Sequence, residues 1–263
     1  MTASLSELDL RAAAPAIFTE SNGLMSRRYA HISTMDLLEG LAADGWLPVQ
    51  AQQDRARQRD ARYVQHAVVL RHQSVLDDAP TVGDSVPQLL LQNSHNGRTQ
   101  LRLRAGLYRF ICANGLVVGR DSFSAAIRHS GDAVAEARGF ASTIAESTTR
   151  LLDVQRLWAS IQLTDVQRIS FAIEAASLRY GTGARSFEAS DLLAPRRPED
   201  AGTDLWSTFN VLQEGLTQGG VQTNVLRRDG AARTSRAMTA IGPTAELNAA
   251  LWALAERQAE VVA

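Results

Sequence analysis

The hydrophobic period of this chain changes once, near residue 132, and that switch limits the fold more than any single motif. Before it, apolar residues alternate with polar ones as in strands; after it, they recur every three to four residues as in helices. The cleanest alternation runs over Thr99–Tyr108. There Leu101, Leu103, Ala105 and Leu107 point one way, while Arg102, Arg104, Gly106 and Tyr108 point the other. Ser94-His-Asn-Gly97 precedes it and holds the Asn-Gly pair suited to a hairpin turn. Tyr63–His72 and Ser85–Ser94 read as earlier strands, and Leu116–Ile127 as one or two later ones. Beyond the switch, helices are expected over 133–160, 165–179, 204–217 and 245–262, with Thr164 as an N-cap and Gly219-Gly220 as a stop. Strands first and helices second is an α+β order rather than α/β. The expectation is an N-terminal antiparallel sheet of about four to six strands packed on helices, followed by a mainly helical C-terminal half.

Within that order, residues 34–44 read as a short helix with Thr34 as N-cap, closed by a C′ glycine at Gly45. Residues 51–61 read as a polar loop. Residues 193–203, the proline-rich stretch, read as a linker or long loop. The expected organisation is a tail over 1–30, an α+β core over 31–192, that linker, and a helical region over 204–263 carrying a small basic hairpin.

Composition supports a folded chain outside the membrane. Of 263 residues, 45% are hydrophobic and 21% charged, enough apolar surface to build a core. No stretch is apolar for long enough to span a bilayer, and the N-terminus lacks the basic start and apolar run of a signal peptide. A single cysteine fits a reducing cytoplasm, where the protein is expected.

The charge sum is near zero, with 27 basic and 28 acidic side chains, and every basic one is arginine. Missing lysine is the mark of a GC-rich coding bias. The distribution carries more than the sum. Residues 92–128 hold six arginines (98, 102, 104, 109, 120 and 128) against one acid, Asp121. A second cluster places Arg227, Arg228, Arg233 and Arg236 in and around an Asp229-Gly230 turn. Guanidinium forks bind phosphate in pairs and stack on bases, so these stretches are the candidate nucleic-acid contacts. The strand face carrying Arg102, Arg104 and Tyr108 could lay charge along a phosphate backbone, with Tyr108 or Phe110 to stack. The alternative is a sheet face whose arginines pair with acids of the helical half.

Catalytic and metal signatures are weak. Cys112 lies in a basic neighbourhood beside a turn, with His95 or His129 as a potential base, but no Cys–His family pattern accompanies it. The histidines at 31, 66, 72, 95 and 129 include no i, i+4 pair, so no metal and no cofactor is expected. Glu199-Asp200 and Asp77-Asp78 read as solvated turn carboxylates. Asn93, Asn96 and Asn114 read as turn residues, where asparagine tolerates positive φ. Asn210, Gln213 and Glu214, polar within an apolar helix, either line a groove or hydrogen-bond neighbouring loops.

Four segments together resemble the phage/plasmid-like protein family known as domain of unknown function 932. They are Ile32-Ser-Thr-Met with Leu41-Ala-Ala-Asp-Gly-Trp-Leu-Pro-Val49; Asn93-Ser-His-Asn-Gly97 with Tyr108-Arg-Phe-Ile-Cys-Ala-Asn-Gly115; Trp206 to Gly220; and Leu247 to Glu256. The resemblance implies a setting on mobile DNA rather than a reaction. In outline the strand-then-helix order is also similar to phage single-strand annealing proteins, which work as oligomers.

The functional expectation is therefore a mobile-element DNA-binding protein, of the single-strand annealing or recombination-associated kind. Single-stranded DNA is the favoured partner and a homo-oligomer the expected state. Its candidate contacts are Arg98, Arg102, Arg104, Tyr108, Arg109, Arg120, Arg227, Arg228, Arg233 and Arg236. Two alternatives stand beside it. One is a metal-dependent or Cys/His hydrolase or nuclease using His95, Asp121, His129 or Cys112. The other is a protein-interaction factor directed against host defence.

Overall fold

The computed structural model describes residues 4–20, 31–56, 60–77, 85–96, 99–109, 117–118, 124–127, 132–181, 187–226, 228, 230 and 232–262. It divides into two compact units: Met1–Ile111 with Val118–Leu151, and Leu152–Ala263. The fold is α+β, with strands before helices, but the division falls near residue 151 rather than in the proline-rich stretch.

The first unit is built on a sheet of strands β1 (Trp46–Gln53), β2 (His66–His72), β3 (Ser85–Asn93) and β4 (Leu101–Arg109), antiparallel and in that order. Strands β5 (Val117–Val118) and β6 (Ser124–Ile127) both pair with β4. β1 begins before the segment expected as a polar loop and runs into it. It carries Pro48 on the sheet edge, next to a register shift between Pro48 and Gln50. Pairing opposite Leu91–Leu103 and Leu89–Ala105 stacks Val68, Leu70, Leu89, Leu91, Leu101, Leu103 and Leu107 on one buried face.

Helix α2 (Thr34–Ala43) packs its Leu37, Leu38 and Leu41 stripe against this unit, next to β1. Its cap is Ser33, whose hydroxyl accepts from the Asp36 amide, one residue before the expected Thr34. Gly45 ends the segment at φ +85, where a Cβ would stand 2.8 Å from His72 Nε2. Residues expected as a tail are folded: helix α1 (Glu7–Ala13), with a Ser6/Asp9 capping box, leads into a 3-10 turn over Pro15–Phe18. Leu10, Ala16 and Ile17 are buried there, and the Ala16 amide donates to Gln53 Oε1 at 2.9 Å. A short α3 (Gln73–Asp77) follows β2. The first turns of α4 (Ala133–Ser160) belong to this unit, where Arg138 bonds Asp44 at 2.7 Å and holds that carboxyl below its ordinary range.

The second unit takes the last turns of α4, then α5 (Asp165–Tyr180), α6 (Ala189–Leu192), α7 (Leu205–Gln218), the hairpin β7 (Gln222–Leu226) and β8 (Ala232–Thr234), and α8 (Ile241–Val262). Its core is aromatic. The rings of Trp158, Phe209 and Trp252 pack with centroids 4.5 to 5.9 Å apart, and Trp206 stacks on Phe209 at 5.7 Å. Helix α7 is buried on almost every side, and several of its polar residues are bonded internally. Asn210 donates to the Trp206 carbonyl, Gln213 donates to Asn248 Oδ1, and Glu214 accepts from Arg197 at 2.5 Å. They are buried and hydrogen-bond neighbours. Arg197 also bonds Asp200 at 3.1 Å, and Asp200 is buried rather than solvated. The stretch expected as a linker therefore holds a buried ion-pair triad and a 3-10 turn (Pro198–Asp200) that packs against α7.

Candidate nucleic-acid interface

The basic strand face does not take the expected form. Arg104 is 8% exposed and donates to Gln92, and its row also buries Val86, Gln88 and Leu90. Arg71 is buried beside Gln88 in the same way. Alternation correctly separates two faces, but the second is buried around Arg104, so Arg104 is not presented to a ligand. Arg102 is exposed on β4. Tyr108 and Arg109 end β4 opposite Val86 and Ser85, with side chains outside the described part. Arg98, Arg120, Cys112, Asp121 and His129 lie outside the described residues, as does Arg227.

The second basic cluster does form a site. Thr164 caps α5 with a Gln167 capping box, and α5 runs until Gly181 turns away at φ +79, which places Arg179 and Tyr180 on its last turn. α7 starts on Asp204, whose carboxylate accepts from the Ser207 amide, and stops at Gly219. Gly219 has φ +68, and a Cβ there would collide with the backbone of Arg236. This close approach lets the hairpin root itself on the end of α7. The Gly220 amide donates to the Ser235 carbonyl, the Ser235 amide to Val221, and the Met238 amide to Thr217, each at 2.8 Å. Arg179 donates to the carbonyls of Leu216 and Arg236, and Arg196 to that of Gly219. Cations thus cap the carbonyl end of α7 and pin the hairpin to it.

The result is a pocket of about 870 Å³ lined by Arg179, Tyr180 and Phe187 on one side and by hairpin residues Thr223, Arg228 and Ala232–Arg236 on the other. Among the described residues no carboxylate lines it. Tyr180 and Phe187 lie ring to ring, centroids 4.6 Å apart and tilted by 30°, with the Arg179 guanidinium 4.9 Å from the Tyr180 ring. Burial pushes the Tyr180 phenol above its ordinary value against the opposing charge of Arg179, so it remains a neutral donor. Arg228, Arg233 and Arg236 are exposed and make no side-chain ion pair with any described residue. The structure thus brings three of the sequence-predicted arginines to one cavity. Sequence reasoning missed Arg179, Tyr180, Phe187 and Thr223; Tyr180-Gly-Thr-Gly carried only a helix-stop signal, and no spacing ties it to the hairpin.

A second polar cluster is buried in the first unit. His95 packs between His31 and His66, its ring centroid 4.6 Å from that of His31 and 5.1 Å from that of His66. Thr34 Oγ1 lies 2.8 Å from His66 Nε2 and 3.4 Å from His95 Nε2, and accepts from Asn93 Nδ2 at 3.0 Å. Asn93 also bonds the Ile32 carbonyl, so it is a buried clamp rather than a turn residue. Burial lowers the His66 pKa to about 4. His95, with no exposed surface, has no path to a substrate. The imidazoles face a hydroxyl and not a common vacancy: among the described residues no group of three His, Cys, Asp or Glu could hold a metal. Nor, among those residues, is any helix long and apolar enough to cross a membrane.

These features define an α+β protein whose second unit presents an arginine-lined pocket. Over residues 22–252 the chain matches the family model described as domain of unknown function (DUF932), and the protein belongs to that family. It is similar to two Escherichia coli K12 proteins, UPF0380 protein YafZ and UPF0380 protein YfjQ, each 31% identical over 244 residues, covering 92% of this chain and 87% of theirs. No solved structure matches it.

Proposed function

We propose that this protein binds DNA, single-stranded by preference, as a cytoplasmic homo-oligomeric factor of a mobile genetic element working in strand annealing or recombination. The observation that carries the reading is the pocket. Three exposed arginines line one cavity with an aromatic pair and no described carboxylate, the combination that holds a phosphate while a base stacks. The family resemblance supplies the mobile-DNA setting. Arg102 is a further contact candidate, on the first unit.

A gel-shift and annealing assay with single- and double-stranded DNA, with and without magnesium, over a salt series tests it. Binding is expected to favour single strands and to weaken steeply as salt rises. Replacing Arg233 and Arg236 by alanine is expected to lower the salt slope by about two contacts' worth. No binding at low salt refutes the proposal. Magnesium-dependent loss of the strand replaces it with a nuclease.

A further inference from the structure

We infer that the second-unit pocket receives the phosphorylated end of a single strand and not the interior of a strand passing through. The inference rests on the DNA-binding reading above and narrows its ligand. Three features of the cavity carry it.

The first is charge. Arg179, Arg228, Arg233 and Arg236 line one cavity, and among the described residues no Asp or Glu lines it. An internal phosphodiester carries a single negative charge, whereas a terminal phosphomonoester carries about −1.5 to −2 near pH 7 and offers three acceptor oxygens. Several guanidinium groups converging on one small space match the second group better, because each added charge and oxygen meets another fork. A strand running across the surface instead spreads its charges along a track of cations.

The second is shape. About 870 Å³ lies within the range of small-ligand cavities, roughly 300–1,000 Å³. That space holds a nucleotide or two, whereas grooves that track a strand cover about 4–16 nucleotides. The third is the wall. Tyr180 and Phe187 are stacked on one another, and Arg179 is fixed by two backbone carbonyls behind Tyr180. This gives a rigid aromatic surface for a terminal base. The exposed Thr234 stands on the hairpin side to meet sugar or phosphate oxygens.

The test is fluorescence anisotropy of the full chain with one oligonucleotide sequence in four forms: 5′-phosphorylated, 3′-phosphorylated, unphosphorylated and circular. One of the phosphorylated forms is expected to bind roughly tenfold tighter than the unphosphorylated and circular forms, the size of one added charge-assisted contact. Arg233→Ala with Arg236→Ala is expected to abolish that preference, and Phe187→Ala to weaken both phosphorylated and unphosphorylated linear forms. Equal affinity for all four forms overturns the strand-end inference and leaves the DNA-binding reading standing. Absence of binding to any form overturns both. Deoxyadenosine 5′-monophosphate binding as tightly as the phosphorylated oligonucleotide overturns the strand end in favour of a free nucleotide.

Discussion

Acid should loosen the first unit through one buried imidazole. His66 is fully buried, and its ring accepts or donates at Thr34 Oγ1, 2.8 Å away, with His95 packed beside it and no described carboxylate bonded to it. Burial lowers its pKa from 6.5 to about 4. The unfolded chain therefore binds a proton at His66 at a higher pH than the folded chain does. Stability is expected to be unaffected above about pH 7.5, to fall as pH drops through 6.5 toward 4, and to level off below that. The two pKa values give a loss of ~2 kcal/mol by about pH 5 and ~3 kcal/mol near pH 4.

The assay is urea unfolding at about pH 7.5 and 5, followed by circular dichroism, on the wild type and His66→Gln. Glutamine keeps a hydrogen-bonding group near Thr34 and cannot titrate in this range. Both proteins share every carboxylate, so the difference between their acid losses isolates the imidazole. The variant is expected to lose ~2 kcal/mol less than the wild type between the two conditions. Equal losses refute the reasoning, whatever the absolute stability of the variant.

Two other perturbations probe the second unit. Arg197→Ala removes the ion pairs to the buried Asp200 and Glu214 carboxylates, and is expected to cost about 3 kcal/mol, read as a lower urea midpoint in the fluorescence of Trp158, Trp206 and Trp252. Gly219→Ala is expected to destabilise by about 1–3 kcal/mol, because it forces a side chain into positive φ and onto the Arg236 backbone. With the hairpin displaced, DNA affinity should fall together with the calorimetric Tm; unchanged affinity would show that the hairpin is not part of the interface.

Local signals were well placed because they act over a few residues. The Thr164 cap, the Leu205–Leu216 stripe of α7 and the Gly219 stop all depend on contacts within one or two turns, and the structure has each of them. The alternation through Leu101, Leu103, Ala105 and Leu107 likewise reports the pleat of one strand. β1 was missed because Gln50, Gln52 and Gln53 look like loop polarity, although strand pairing with β2 holds them.

The order of strands and helices, the faces of β4 and the basic character of two stretches were thus set by the amino-acid sequence alone, through periodicity and local charge. Only the tertiary structure decided which arginines meet solvent. Arg104 is buried on a face that reads as polar, and burial depends on what packs there, not on the strand's own pattern. Arg228, Arg233 and Arg236 meet Tyr180 and Phe187 because the end of α7 anchors the hairpin beside the end of α5, a contact between residues far apart in the chain. The histidine cluster has the same origin: three residues without common spacing share one interior because α2 and two strands close around Thr34. Charge is written locally, but the company it keeps is a property of the folded chain.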